Sequence, residues 1–246
     1  MIRAYFTAAL REAWRRRWLT AALFGGLILA AVYGLIILPQ MSDALFGLLR
    51  EIRLHEALFL FPLGLFYGLL FGVLLTDAGE ESWRILGPTR DHGPALYLAS
   101  RLLAATACAL LTTTAVAVVS GGVLWLAGGS VYSIYLGGLP LLLPGMLFAA
   151  ALGGAARPLV GRSALPLGLL VLTVSFYGPL LWDKLQFGLP ALRPLFADFA
   201  ARALFQRPLA ALLTSLQLLL YAVFCFTLGL FRLVGLWYDI KRDRSD

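Results

Sequence analysis

Charged residues are scarce in this sequence, and their scarcity excludes an ordinary soluble domain. Of the 246 residues, 13% are charged and 61% are hydrophobic, whereas soluble domains are about 25% charged. A soluble fold of this length could not hide so much apolar surface, but a lipid bilayer can surround it. The composition therefore predicts an all-α polytopic membrane protein that forms a single domain over residues 1–246.

Cysteine and histidine are also rare, and acidic residues are missing from the centres of the long apolar runs. Cys108 and Cys225 lie in different apolar runs, so no disulfide framework or paired-cysteine metal site is predicted. His55 and His92 lie in connections that we expect on opposite sides of the membrane. Without carboxylates inside the spans, a di-metal site and a proton-coupled carrier are both disfavoured. We predict no catalytic residue and no metal site.

Motifs for nucleotide binding and for hydrolysis are missing as well. The stretch 154–163 ends in Gly-Arg-Ser but lacks the lysine and the spacing of a P-loop. No Gly-x-Ser-x-Gly nucleophile motif occurs. Glu80, Glu81 and Arg84 approach the Glu-Glu-x3-Arg pattern of some intramembrane proteases, but the arginine comes one residue too early. The chain is therefore predicted not to be an enzyme and to bind no cofactor itself.

Runs without charge divide the sequence into six predicted spans, each close to the roughly 20 residues that a bilayer requires. The run 102–156 is too long for one crossing, and the Gly-Gly-Ser at 128–130 separates it into two. The predicted spans are 18–42, 57–76, about 98–126, about 134–156, 163–182 and 208 to about 238.

The basic residues indicate how these spans are oriented. An even number of spans places both termini on one side, and 14 of the 20 lysine and arginine residues then share that side. By the positive-inside rule both termini are cytoplasmic. The net charge of +7 is assigned to topology and lipid headgroups and not to nucleic acid, because the basic residues flank apolar runs. We expect a multi-pass protein of the bacterial inner membrane.

Two segments outside the spans have amphipathic helical patterns. Residues 1–17 place seven apolar side chains in helical register, with basic residues on the other face, which predicts a helix lying in the membrane interface. Residues 183–207, on the outer side, predict a short helix that rests on the outer leaflet.

The cytoplasmic stretch 77–96 is the most informative segment for function. Its residues 80–86 predict a short helix that begins with acidic residues, carries Trp83 and Leu86 on one face, and is stopped by Gly87 and Pro88. Such a helix between two spans would suit attachment of a motor protein. The alternative interpretation is a plain surface loop.

Small residues in the spans predict close helix packing. Gly64, Gly68 and Gly72 form a double Gly-x3-Gly pattern on the second span, which allows another helix backbone to approach closely. The partner is either another helix of the same chain or a second subunit.

Together these features resemble the permease subunit of an ABC-2 type (type V) ABC transporter. The resemblance covers the layout of the chain: an N-terminal interfacial helix, six spans, cytoplasmic termini and short outer helices before the last span. The coupling-helix motif of that family is similar to residues here that match it in order: Glu80, Glu81, Ile85, Leu86, Pro88 and Arg90. Ser100-Arg101 stands where the family has Gly-Lys, and the family's Gly-Thr pair is missing.

The resemblance implies an exporter in which this chain pairs with itself or with a similar permease subunit. A separate cytoplasmic ABC ATPase would bind ATP and Mg and push on the coupling helix. The implied coupling residues are Glu80, Glu81, Trp83, Arg84, Ile85 and Leu86.

The substrate pathway is expected on the inner faces of the first, second and fifth spans, which offer few polar groups. An amphiphilic or lipid-like substrate fits such a pathway, with membrane lipid as a further partner. The expected pathway residues are Tyr67, Ser175, Phe176 and Tyr177. Two alternatives stay open: a heme-exporter-type membrane subunit, and a structural or assembly membrane protein that transports nothing.

Overall fold

The computed structural model describes five stretches of the chain, and their regular structure is helical. The described residues are 2–32, 60–86, 94–126, 134–185 and 208–242, with side chains over 2–32, 60–77, 94–122, 141–175 and 212–235. The predicted outer connections, 43–56 and most of 183–207, lie outside these residues. The prediction of an all-α fold is confirmed for the described part of the chain.

Seven α-helices occupy the described residues. They are α1 (Ile2–Arg15), α2 (Trp18–Val32), α3 (Phe61–Leu86), α4 (Pro94–Leu126), α5 (Ile134–Val160), α6 (Ala164–Leu185) and α7 (Pro208–Arg242). A short 3₁₀ turn, Gly161–Ser163, joins α5 to α6.

Within the part of the chain that the structure describes, three apolar helical runs are long enough to cross a membrane. They are Pro94–Gly122, Leu141–Ser175 and Leu212–Gly235, and two shorter apolar helices cover Trp18–Val32 and Phe61–Asp77. Their length and composition suit a bilayer, which supports the predicted membrane class. The count of six spans and the cytoplasmic termini stay predictions.

The run Leu141–Ser175 consists of two helices that fold back on each other. Gly161 has φ +60°, a left-handed conformation that glycine adopts without a steric penalty, and it turns the chain between α5 and α6. On either side of the turn, Gly153 and Gly168 both pack against Leu69 of α3. The two glycines therefore lie at one height, and α6 returns alongside α5 as a hairpin.

Helix α5 lies at the centre of the bundle and contacts α3, α4, α6 and α7, whereas α1 and α2 pack against α4. Glycines bring α3 close to α5. A β-carbon at Gly68 would lie 2.7 Å from the Met146 carbonyl oxygen, and one at Gly72 would overlap the Ala150 backbone. Gly64 packs in the same way against the Met146 side chain. All three glycines thus meet α5 of the same chain.

The bundle has the polarity expected of a protein in lipid. Hydroxyl side chains such as Thr112, Thr113 and Ser120 are buried, while large apolar side chains cover the outside. On α7, Phe224 and Phe231 are 63% and 82% exposed. Soluble monomers rarely expose apolar patches larger than a few hundred square ångströms, so this surface fits contact with lipid or another membrane helix.

Candidate functional site

One buried arginine connects three helices at one end of the bundle. Arg101 lies near the start of α4, and only 6% of its surface is exposed. Its Nη1 donates to Glu12 Oε2 of α1 at 2.5 Å and to the Leu75 carbonyl oxygen of α3 at 3.4 Å. Arg101 thereby fixes α1 and α3 to α4.

The sequence of α1 explains why Glu12 can reach this arginine. Ala9 and Ala13 are fully buried, and their small side chains allow α1 to lie close to α4. Tyr97 adds an aromatic contact: its ring lies edge-on to Tyr5, with centroids 6.1 Å apart, and the Arg101 guanidinium lies 5.2 Å from its centroid. A buried charge is costly unless it is paired, so the Glu12 carboxylate offsets the desolvation of Arg101.

A tight corner joins α1 to α2 beside this pair. Arg17 has φ 59°, and its amide donates to the Trp14 carbonyl at 2.9 Å, which ends α1. Arg16 forms an ion pair with Glu12 at 3.2 Å, and its guanidinium lies 5.1 Å from the Trp18 ring centroid. The corner is short, so the position of α1 is tied to that of α2.

A second ion pair connects α3 to α5 at the same end. Nε and Nη2 of Arg157 both donate to Asp77 Oδ1, at 2.8 and 2.5 Å. The Asp77 side chain is 50% exposed, so this pair is more solvated than the pair of Glu12 and Arg101. Within one turn, α3 is therefore held at Leu75 by α4 and at Asp77 by α5.

Beyond Asp77, α3 continues without interruption to Leu86. The predicted short helix over 80–86 is thus the last part of α3 and not a separate element. Gly79 lowers helix propensity by about 1 kcal/mol, but the sequence has no proline between Pro62, in the first turn of α3, and Pro88, so no proline breaks the helix earlier.

The structure gives the backbone of the predicted coupling residues but not their contacts. The described side chains do not include those of Glu80, Glu81, Trp83, Arg84, Ile85 and Leu86. Pro88 and Arg90 lie outside the described residues altogether. Their role in coupling stays a prediction.

The predicted pathway residues are not brought together among the described side chains. Tyr67 is 3% exposed, and its hydroxyl donates to the Ala22 carbonyl oxygen of α2 at 3.0 Å. It packs beside Gly26, where a β-carbon would lie 2.6 Å from its hydroxyl oxygen. Tyr67 therefore holds α3 against α2. Ser175 is half-buried on α6, and the side chains of Phe176 and Tyr177 lie outside the described set.

Sequence reasoning missed the pair of Glu12 and Arg101, although both residues carry a signal. Glu12 is the only acidic residue in positions 1–42, and Arg101 is the only charged residue in Pro94–Gly122. An isolated acid and an isolated base next to apolar runs are candidates for pairing. In the described part of the chain, no group of three or more metal-ligating side chains comes together.

Comparison with known proteins supplies no relative: no family model matches the sequence, and neither a curated protein nor a solved structure matches it.

Proposed function

We propose that the chain is the membrane-spanning subunit of an ATP-driven exporter in the bacterial inner membrane. It would act as a homodimer or with a similar permease subunit, and a separate cytoplasmic ABC ATPase would bind and hydrolyse ATP with Mg. The proposal rests on the resemblance of the sequence to ABC-2 type permeases and on one structural observation. Helix α3 continues as a helix beyond Leu75 and Asp77, where α4 and α5 hold it, as far as Leu86.

A continuous helix supports this proposal because it can carry a displacement along its axis. The hydrogen bonds of a helix make residues 78–86 move with the apolar part of α3, whereas a loop would absorb the motion. At the point where this extension begins, Arg101 and Arg157 attach α3 to α4 and α5. A push on the extension would reach both helices directly.

The glycine contacts extend this path into the bundle. Gly68 and Gly72 place α3 in backbone contact with α5, and such close packing transmits strain with little compression. Helix α5 in turn contacts α4, α6 and α7. A shift of α3 would therefore be shared among the central helices.

The proposed substrate is amphiphilic or lipid-like. In the described part of the bundle, the polar side chains in the apolar core are mainly hydroxyls, such as Thr112, Thr113 and Thr214. Hydroxyls can accept and donate hydrogen bonds but cannot neutralise a strongly charged solute. A transport assay in which a charged sugar is the best substrate would contradict this part of the proposal.

Affinity purification from native membranes in mild detergent tests the proposal. We expect a P-loop ATPase to copurify near one-to-one, and the double variant Trp83→Asp/Leu86→Asp to lose it. A matched control is Leu159→Asp/Val160→Asp, which changes two exposed apolar residues at the end of α5 and should keep the ATPase. The absence of any ATPase from the wild-type preparation would refute the proposal.

A further inference from the structure

Helix α1 has an outer edge that the bundle leaves exposed. Its inner side packs on α4 through Ala9, Ala13 and Glu12. On the outer side, Trp14 is 64% exposed. The predicted apolar stripe of residues 1–17 is therefore divided between a protein contact and an open edge.

The charge of this edge is entirely positive. The exposed side chains that share it are Arg3, Arg11, Arg15 and Arg17. Among the described residues, none of these four forms an ion pair with an acid. Glu12, the only acid of α1, is turned towards Arg101 and Arg16 and does not neutralise the outer edge.

The position of α1 relates this edge to the apolar surface of the bundle. The corner at Arg17 leads directly into α2, on which Phe24 and Ile28 are more than 60% exposed. Helix α1 thus lies where the apolar surface of α2 begins, which is headgroup level if that surface faces lipid. Tryptophan and arginine are both favoured at this level.

We propose that the outer edge of α1 binds anionic phospholipid headgroups of the inner leaflet, with Arg11 and Arg15 holding a phosphate beside Trp14. Arg11 and Arg15 are four residues apart, so they lie on one side of the helix, and Trp14 lies between them in sequence. A guanidinium donates two parallel hydrogen bonds to phosphate oxygens. The indole ring of Trp14 then lies against the glycerol region of the same phospholipid. This inference does not depend on the proposed transport function.

Fluorescence quenching in nanodiscs, with the full-length chain, tests this site. The signal of Trp14 is the difference between the wild type and Trp14→Phe. Brominated phosphatidylglycerol and brominated phosphatidylcholine are compared at equal, low mole fraction in the same unbrominated lipid. We expect the anionic probe to quench Trp14 several-fold more efficiently, and 1 M salt to reduce the difference, because headgroup attraction is screened.

Arginine variants identify the side chains that produce this preference. Each basic side chain near an anionic surface contributes a preference of roughly fivefold, so Arg11→Gln/Arg15→Gln should lose most of it. Trp14 should still be quenched equally by both lipids. The matched control is Arg162→Gln/Arg232→Gln, which removes two exposed arginines outside α1, one in the turn Gly161–Ser163 and one on α7, and should leave the preference of Trp14 unchanged.

Three results would overturn the proposal. Equal quenching of wild-type Trp14 by both lipids would show apolar contact without selection of anionic headgroups. Absence of quenching by either lipid would show that protein covers the edge. Loss of the preference in the control double variant, to the same extent as in the test variant, would show an effect of net charge and not of a site.

Discussion

Two ion pairs at one end of the bundle have similar chemistry but different surroundings. Arg101 and Glu12 join α4 to α1 with side chains 8% and 18% exposed. Arg157 and Asp77 join α5 to α3 with side chains 21% and 50% exposed. Both have a shortest separation of 2.5 Å, so geometry does not distinguish them. Burial does distinguish them. We therefore expect that losing one partner lowers the stability of the protein more for the first pair than for the second.

The largest effect is expected from removing one partner of the buried pair. Arg101→Met removes the buried counter-charge of Glu12 and leaves it only the more exposed Arg16, which costs up to about 3–5 kcal/mol. Unfolding by a denaturing detergent, followed by near-ultraviolet circular dichroism, measures this loss. Arg101→Met/Glu12→Gln should recover a large share of it, because no uncompensated charge remains. Equal losses in the single and double variants would show that the cost comes from the other contacts of Arg101, with Leu75 and Tyr97, and not from the unpaired carboxylate.

Gly72→Ala should give the next largest effect. Its β-carbon would meet the Ala150 backbone, which cannot rotate away, so α3 and α5 must separate at a cost of about 1–3 kcal/mol. Gly121→Ala is the control, because a β-carbon there has nothing within 4 Å. The same unfolding assay should find the control as stable as the wild type or slightly more stable. A neutral Gly72→Ala would mean that α3 and α5 are less closely packed than described.

A smaller loss is expected for Tyr67→Phe. The change removes one buried neutral hydrogen bond to the Ala22 carbonyl, worth about 0.5–1.5 kcal/mol. If Tyr67 holds α3 to α2, stability should fall while substrate affinity stays unchanged. A change in substrate affinity without a loss of stability would instead support the predicted pathway role of this tyrosine.

The smallest effect is expected for the exposed pair. Asp77→Asn should cost about 0–1 kcal/mol, since an exposed ion pair contributes little and is screened by salt. In 1 M NaCl the difference between Asp77→Asn and the wild type should disappear, whereas the effect of Arg101→Met should persist. A salt-insensitive loss at Asp77 would show that this pair is more buried in the assembled protein than in the single chain.

Features with a local cause could be predicted from the sequence. The sequence predicts separate helices on either side of 128–130, and the structure has α4 ending at Leu126 and α5 beginning at Ile134, with 128–130 themselves outside the described residues. The amphipathic pattern of residues 1–17 corresponds to α1, which ends at Arg15. Periodicity and helix-breaking residues act within a few positions, so they are readable without tertiary contacts.

Features that depend on distant contacts could not be predicted in the same way. The pattern around residues 80–86 predicts a short helix, but Gly79 allows either a break or a continuous helix, so the local sequence does not decide whether this helix is joined to the rest of α3. Tyr67 has an apolar ring and a polar hydroxyl, and the sequence does not say whether the hydroxyl faces a pathway or a carbonyl. Only the position of Ala22 on a neighbouring helix decides this.

The link between Glu12 and Arg101 also has a consequence for biogenesis. The two residues are 89 positions apart, and α2, α3 and the start of α4 must be synthesised between them. At about 5–20 residues per second, Arg101 follows Glu12 from the ribosome after roughly 4–18 s. During that interval the carboxylate has no partner from α4, so α1 cannot complete its packing. The first helix therefore completes its packing only after the start of the fourth helix has been synthesised.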